Sequence, residues 1–461
     1  MNPGSDIASI VANAGPLSGD SGGVEFDQFT LNLDLRRLLD LGGRPLYLAA
    51  GLEHRDENYQ QNAGDEASWS CGLPHNPAYR AFAVGPDGAP LDGTVASCGF
   101  QGYPGYSPTN AALSDDDRDS QAAYLDLEFE PTDRWTLGAA LRWEDYSDAG
   151  SETTGKLSTR IRLTDQFALR GAFSTGFRAP SLSQRRFNSI VFSASAETGL
   201  TTTFFAPEGH EIARFYGVDK LEHETSENWS AGFVWTPSES FRLSVDAFGT
   251  EVDDRVVRSL GVGCADIAAC MRQNASSAAF FFNGIDTRTR GLDVTAQWET
   301  SLAGGDLRVS AGAHFNETEI TDEVLPSGAP EGMQFSDYFG GWPADMLERG
   351  QPRNQLGLTA DWSRESLGAT LRLNRYGRTE QNPLAVGPWD VDAAGTVDVE
   401  GRYQFDGGLR LTLGVDNVFD ELPDELDGHT LDALWGIRYP IDAPPYGLAG
   451  RLFYTRLSYR F

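Results

Sequence analysis

In the stretch YLDLEFE, residues Tyr124–Glu130, apolar and acidic side chains alternate after the first tyrosine. Successive side chains of a β-strand point to opposite faces, so this alternation predicts a strand with one apolar and one charged face. The same period of two recurs in Phe241–Phe248, Leu307–Phe315, Leu356–Trp362, Ala369–Arg375, Leu409–Val415 and Phe453–Phe461. Apolar residues at helical spacing are nearly absent. The sequence therefore predicts an all-β protein.

The connections between strands alternate between short turns and long segments rich in Gly, Pro and Asn. We predict fifteen strands, near residues 24–39, 44–57, 120–130, 134–147, 154–163, 166–177, 223–236, 240–258, 277–299, 306–321, 352–362, 367–379, 391–405, 409–419 and 447–461. Short turns at one rim and long loops at the other are typical of a transmembrane antiparallel β-barrel, with the short turns in the periplasm. A soluble sandwich would have shorter strands and no such asymmetry.

The composition of the chain excludes a nucleic-acid-binding protein and a helical membrane protein, and the placement of its aromatic residues favours contact with a membrane. The 461 residues include 36 Lys and Arg against 67 Asp and Glu, a net charge of −31, so no basic face is available for nucleic acid. No apolar run is long enough for a membrane helix. Aromatic residues stand beside the short turns, as expected where a barrel meets the lipid interface of the outer membrane. They are Trp135, Trp235, Trp298, Trp362 and Phe405.

The polar register of the strands is too charged for a dry core. It includes Arg142, Glu144, Arg170, Arg242, Asp246, Asp293, Arg308, Arg372, Arg402 and Arg456. An unpaired buried ion costs several kcal/mol, so these side chains are expected to face water or one another in a wide lumen. A wide lumen requires a large barrel.

The four cysteines fall into two local pairs. Cys71 and Cys98 flank one Gly/Pro-rich loop, and Cys264 and Cys270 flank another. Local pairs of this kind predict two disulfides formed outside the cytoplasm. Four free thiols are the alternative, and a zinc site is disfavoured because neither pair has the ligand spacing.

Four motifs and the C-terminal residue together resemble TonB-dependent outer-membrane receptors. FSTGFRAPSL (Phe173–Leu182) resembles the barrel signature of that family, and ETSENWSAG (Glu224–Gly232) resembles its next strand start. GLDV (Gly291–Val294) and VDNVFD (Val415–Asp420) resemble later strand motifs, and Phe461 resembles a terminal assembly signal. The resemblance covers most of the chain, which we treat as one β-barrel domain, residues 1–461.

The resemblance implies a barrel of about 22 strands around an N-terminal plug. Such receptors import a scarce nutrient, usually an iron–siderophore complex and sometimes cobalamin, haem or a glycan, with energy from a periplasmic TonB-type partner. No plug and no TonB-contacting box are found in the sequence. We therefore expect a C-terminal portion that lacks the plug and about seven strands. We also expect that these residues alone neither close a barrel nor support coupled uptake, because open sheet edges are not tolerated in lipid.

Two other functions remain open, a passive porin-like channel and an outer-membrane enzyme. The six histidines are scattered and no nucleophile elbow exists, so we predict no catalytic residue, cofactor or metal. The acidic run Ser114–Asp119 could hold a cation but lacks the pattern of a calcium loop. Aromatic side chains in the outer loops are expected to bind the ligand unless they pack on each other, and Arg178 either joins them or anchors its turn. The candidates are Tyr103, Tyr106, Arg178, Phe205, Tyr216, Phe281, Tyr338 and Trp342.

Overall fold

The computed structural model describes residues 19–69, 105–195, 199–264, 267–272, 275–381, 389–425, 439 and 445–461. In chain order the strands are β1 (Gly23–Asp40), β2 (Pro45–Asn62), β3 (Asp116–Thr132), β4 (Trp135–Tyr146), β5 (Gly150–Arg162), β6 (Phe167–Arg178), β7 (Ser189–Ser195), β8 (Gly199–Phe205), β9 (Glu224–Ser238), β10 (Phe241–Arg258), β11 (Val262–Gly263), β12 (Ser277–Ala279), β13 (Phe281–Leu302), β14 (Gly305–Glu323), β15 (Asn354–Arg364), β16 (Leu367–Tyr376), β17 (Thr379–Gln381), β18 (Trp389–Val391), β19 (Ala394–Gln404), β20 (Leu409–Asp416) and β21 (Leu452–Tyr459).

The helices are short and lie in the connections. They are α1 (Glu66–Trp69), α2 (Pro108–Ala112), α3 (Leu182–Arg186), α4 (Glu211–Phe215), α5 (Ala268–Arg272), α6 (Phe335–Tyr338) and α7 (Trp342–Arg349). Within the described ranges, none of them has the length and the apolar character that a membrane crossing needs.

One antiparallel sheet of fifteen strands dominates the fold. Its order is β1-β2-β3-β4-β5-β6-β9-β10-β13-β14-β15-β16-β19-β20-β21, so each strand pairs with the next one of the sheet along the chain. The predicted fold class and the count of fifteen strands are confirmed. The alternation of polar and apolar residues predicts the strands, because successive side chains of a strand point to opposite faces of the sheet.

The connections alternate between two rims, as predicted. Segments 41–44, 133–134, 163–166, 239–240, 303–304, 365–366 and 405–408 join strands at the short-turn rim. The turn at 303–304 is tight because both residues adopt positive φ, 53° at Ala303 and 75° at Gly304, which matches the twist of a two-residue hairpin. The remaining connections lie at the opposite, long-loop rim and carry the helices and the small strands.

The two faces of the sheet differ in polarity. The outward register exposes apolar side chains, such as Leu141 (56%) and Leu157 (65%). At the short-turn rim, Trp135 and Trp235 are also exposed, and the indole of Trp135 donates a 2.9 Å hydrogen bond to Thr159 Oγ1. Amphipathic rings at one level suit a lipid interface.

The inward register carries ion pairs. Arg142 lies 2.8 Å from Glu144, Arg308 lies 2.9 Å from Glu299, and Arg402 lies 2.7 Å from Asp361. The first pair lies within β4, the second joins the neighbouring strands β14 and β13, and the third reaches from β19 across β16 to β15. They explain how the predicted charged register is accommodated, because paired ions need less hydration than isolated ones.

The main apolar core lies in the long loops. Strands β11, β12, β8 and β7 form a separate four-stranded sheet in that order, in which β12 pairs with β8 in parallel. Buried side chains from this sheet, from α4 and α5 and from the connection that holds α6 pack together. We call this assembly the loop unit. It was not predicted, and β17 and β18, which pair with each other, were not predicted either.

Candidate functional site

Three aromatic rings form the centre of the loop unit. Tyr216 stacks on Phe280 at 5.5 Å between ring centroids, and Tyr338 meets each of them edge-on, at 6.1 and 6.0 Å. All three side chains are buried, with at most 3% exposure. Tyr338 donates its hydroxyl to the Tyr216 carbonyl at 3.0 Å, and Tyr216 donates to the Gly263 carbonyl at 2.6 Å. Tyr216 and Tyr338, which were expected to contact ligand, therefore pack the loops, and their contact with ligand stays a prediction.

Both phenols are held neutral by their surroundings. Burial raises the pKa of Tyr216. Burial raises the pKa of Tyr338 to about 12, and the neighbouring Tyr216 and Asp337 add to the shift. A tyrosinate would lose hydration there, so the neutral form stabilises the packed loops.

A disulfide closes one side of the loop unit. The sulfurs of Cys264 and Cys270 are bonded to each other, with their Cα atoms 6.0 Å apart, and both residues are buried. The backbone N–H of Cys264 donates to the Ser276 carbonyl at 3.0 Å, which ties the bridge to the residue before β12. Cys71 and Cys98 lie outside the described residues, so their pairing stays a prediction.

A row of half-exposed rings borders the loop unit. Tyr106 meets Phe187 edge-on at 6.4 Å, Phe187 meets Phe205 at 5.9 Å, and the guanidinium carbon of Arg258 lies 5.6 Å from the centre of the Phe205 ring. We call these four residues the aromatic row. The three rings come from two different long-rim connections, and Arg258 is exposed at the end of β10. The row offers π-faces beside a cation, which suits an anionic, ring-bearing ligand.

Sequence reasoning found two members of the row and missed two. Tyr106 and Phe205 were expected to contact ligand and are half-exposed here. Phe187 ends α3, whose N-terminus is closed by a capping box between Ser181 and Gln184. That box is visible in the sequence and could have indicated the helix, whereas nothing local marks Arg258.

The signature segment after β6 anchors loops. Arg178 donates to both carboxylate oxygens of Glu224 at 2.6 Å, and the Pro180 carbonyl accepts a 2.8 Å hydrogen bond from Arg118. Ser181 then caps α3 by accepting from the Gln184 N–H at 3.1 Å. Of the two roles considered for Arg178, these contacts support the turn anchor.

A buried ionic cluster includes residues of the connection that carries Phe187 and Phe205. Arg118 donates to Glu57 at 2.6 and 2.9 Å, and Arg185 donates to both oxygens of Glu208 at 2.7 and 2.9 Å. Asp148 pairs with Arg185 and lies 3.8 Å from Arg118. All five side chains are at most 13% exposed. The cluster thus ties the two connections that follow β4 and β6 to the rim ends of β2 and β3.

The acidic run Ser114–Asp119 takes part in this anchoring. Asp116 pairs with Arg186 at 2.6 Å, while Arg118 belongs to the ionic cluster. Across the described part of the chain, no group of three or more His, Cys, Asp or Glu side chains is arranged to hold a metal ion. Asp116 and Arg118 of the run are therefore engaged in ion pairs within the protein.

Two of the remaining candidates fall outside what the structure describes. Phe281 begins β13 and packs, half-buried, against the loop core. Tyr103 lies outside the described residues, and so does the side chain of Trp342, whose backbone begins α7. Their roles in binding stay predictions.

Comparison with known proteins supports the reading of the motifs. Residues 8–418 match the family described as TonB dependent receptor-like, beta-barrel. The chain is 21% identical over 373 residues to the ferric enterobactin receptor PirA of Pseudomonas aeruginosa, a match that covers 79% of this chain and 44% of that relative. It is also 21% identical over 249 residues to the vitamin B12 transporter BtuB of Photobacterium profundum, covering 50% of this chain and 38% of that relative.

Among solved structures, the fold resembles a mutant ferric enterobactin receptor, PfeA of Pseudomonas aeruginosa, in complex with enterobactin. The TM-score is 0.62 at 18% identity, over 94% of this chain and 54% of that one. At this identity the likeness shows a shared fold. The chain spans about half the length of that structure. Its matches cover 44% and 38% of the lengths of the two curated relatives.

Proposed function

The chain belongs to the TonB-dependent receptor family through its β-barrel domain, and we propose that it forms the barrel of an outer-membrane receptor for an iron–siderophore complex. The family match over residues 8–418 carries the proposal. Members of this family are outer-membrane proteins, and the apolar outward face of the fifteen-stranded sheet fits that location. Receptors of this kind are not enzymes, and we propose no chemical step.

The ligand surface that we propose is the aromatic row. An iron–siderophore complex that carries aromatic rings and negative charge would stack on Phe187 and Phe205 and be attracted by Arg258. The ionic cluster supports this role, because it ties the connection that carries Phe187 and Phe205 to β3 through Asp148 and Arg118. A rigid frame reduces the entropy lost when a ligand binds.

Two alternatives are less well supported. The match to a vitamin B12 transporter covers half of this chain, against 79% for the enterobactin receptor, so we favour iron–siderophore over cobalamin. A passive channel would need no energy partner, whereas the family is defined by dependence on one. We therefore propose a TonB-type protein as the partner for uptake.

Binding in outer-membrane vesicles tests the proposal, with the chain supplied together with the plug and the further strands that the resemblance implies. With ⁵⁵Fe-labelled ferric enterobactin as the probe, we expect saturable binding that excess cyanocobalamin does not displace. Phe205→Ala and Arg258→Gln should each weaken binding about five- to tenfold, because each removes a contact worth roughly 1 kcal/mol.

The matched control is Phe419→Ala. Phe419 is 71% exposed and makes no ring contact among the described residues, so its removal should leave the affinity unchanged. Absence of saturable binding would reject the proposed ligand class. Equal losses in all three variants would reject the aromatic row as the contact surface.

A further inference from the structure

Three arginines line one cavity on the inward face of the sheet. Arg160 of β5, Arg170 of β6 and Arg242 of β10 surround a space of about 420 Å³ together with Ser244, Thr295 and Gln297. Arg170 and Arg242 lie close to the starts of their strands and Arg160 lies near the end of its own, so the cavity is near the short-turn rim. It is far along the strands from the aromatic row.

The arrangement concentrates positive charge. Arg160 and Arg170 are direct cross-strand partners in the register of β5 and β6. Like charges directly opposite each other destabilise a sheet. Asp246 neutralises Arg170 through contacts of 2.7 and 2.5 Å, and that carboxylate is the only acidic group that lines or contacts the cavity among the described residues. Two of the three guanidinium charges are left uncompensated.

Three arginines elsewhere on the same face are paired. Arg142, Arg308 and Arg402 each hold a carboxylate within 2.9 Å. Arg160 and Arg242 have neither an ion pair nor a side-chain hydrogen bond to any described residue. The net charge of the chain is −31, so an excess of basic residues does not explain why two unpaired arginines share one cavity.

We propose that this cavity is a binding site for an oxyanion, a carboxylate or a phosphate. Guanidinium groups donate paired hydrogen bonds in a geometry that matches both anions. The Thr295 hydroxyl and the Gln297 amide supply further donors from the same wall, whereas the Ser244 hydroxyl donates to Asp246. The site is distinct from the proposed ligand surface, since it lies near the opposite rim. Its anion is either free in the lumen or carried by an acidic polypeptide segment.

Arginine modification tests the site on the intact chain. Phenylglyoxal reacts with accessible guanidinium groups, and peptide mass spectrometry reports each arginine separately. In outer-membrane vesicles, with sodium chloride at matched ionic strength as the reference, we expect phosphate, citrate or hexaglutamate to slow the modification of Arg160 and Arg242 about tenfold, equivalent to 1.4 kcal/mol of binding. Arg134, 59% exposed at the same rim, is the internal control and should react at one rate throughout.

The three anions separate the sources. Strongest protection by hexaglutamate identifies a polypeptide carboxylate, and strongest protection by phosphate or citrate identifies a free anion. In the double variant R160Q/R242Q, the protection of Arg170 should be lost, whereas Arg134→Gln should leave it intact. Modification that proceeds at the chloride rate with every anion, or protection that extends equally to Arg134, overturns the proposal. Both of these overturning outcomes are measured on the chain without substitutions, so they do not depend on how well the double variant folds.

Discussion

Arg178 and Glu224 are direct cross-strand partners in the register of β6 and β9, and they form a bidentate ion pair with both contacts at 2.6 Å. Glu224 also accepts a 2.7 Å hydrogen bond from the Val256 N–H of β10. The carboxylate thus links three strands where they reach the long-loop rim. The two motifs FSTGFRAPSL and ETSENWSAG are coupled through this pair, since one residue comes from each.

The burial of the two partners is unequal, and this predicts an asymmetry between their variants. Arg178 is 54% exposed, whereas Glu224 is 8% exposed. Arg178→Ala leaves a buried carboxylate without its cation and should lower the free energy of unfolding by about 3 kcal/mol. Glu224→Gln keeps an acceptor for Val256 and should lower it by about 1 kcal/mol. Urea unfolding in detergent, followed by tryptophan fluorescence, measures both.

The double variant R178A/E224Q provides the control. Because it removes the stranded charge, we expect it to be more stable than Arg178→Ala alone. A double variant that is less stable than either single variant would show that the charge of Glu224 is not what Arg178 compensates.

The sheet could be predicted from sequence and the ends of its strands could not. A strand was expected over residues 277–299, but β12 (Ser277–Ala279) pairs in the loop unit and β13 begins at Phe281 in the main sheet. Between them, Phe280 is buried in the loop core at 1% exposure. Alternation specifies that a residue is in a strand but not which sheet the strand joins, since that depends on contacts distant in sequence.

The candidate site could not be predicted in full for the same reason, because its packing depends on contacts distant in sequence. Tyr216 and Phe205 are aromatic residues of one connection, yet one is buried and the other is half-exposed. The partner that buries Tyr216 is Tyr338, 122 positions away. No local pattern encodes that contact. The spacing of Cys264 and Cys270, by contrast, is local, and it allowed their pairing to be expected.

Removing the Cys264–Cys270 bridge should loosen the loop unit locally. The bridge closes a loop of six positions, so the chain-entropy relation gives a loss of about 2 kcal/mol for Cys264→Ser/Cys270→Ser. We expect faster amide hydrogen exchange in peptides from residues 259–280, measured by mass spectrometry. Peptides from 354–376, in the main sheet, should exchange as before. Faster exchange in both regions would mean that the bridge stabilises the whole fold.

Alkaline pH should destabilise the loop unit through Tyr338. Its pKa in the folded chain is raised from 10 to about 12, so the neutral phenol is the form that the fold favours. The stabilisation is complete below pH 10 and is lost as pH rises through about 12, on the order of 3 kcal/mol in total. The absorbance at 295 nm of the unmodified chain minus that of Tyr338→Phe isolates this tyrosine. A difference signal that is already complete at pH 10 would contradict the prediction.

The long-loop rim should face the cell exterior. The predicted arrangement places short turns in the periplasm, and both Glu331 and Asp406 are exposed, at opposite rims. On whole cells, a membrane-impermeant maleimide should label Glu331→Cys and spare Asp406→Cys until the outer membrane is permeabilised. The unmodified chain measures the background from its own cysteines. Labelling of Asp406→Cys alone would reverse the topology.

Gly232, the last residue of ETSENWSAG, should be intolerant of a side chain. The ion pair between Arg170 of β6 and Asp246 of β10 crosses over this glycine of β9, and a Cβ there would collide with the Asp246 carboxylate and with the Val245 carbonyl oxygen. Because one of the obstructing atoms is backbone, Gly232→Ala should lower the free energy of unfolding by roughly 1–3 kcal/mol. The matched control is Gly401→Ala in β19, where a Cβ would meet nothing within 4 Å. That change should be neutral, or stabilising by about 0.4–1 kcal/mol, because it reduces the freedom of the unfolded chain. Urea unfolding of the two variants in the same detergent compares them directly, and equal stability of the two would show that the ion pair can move aside without loss.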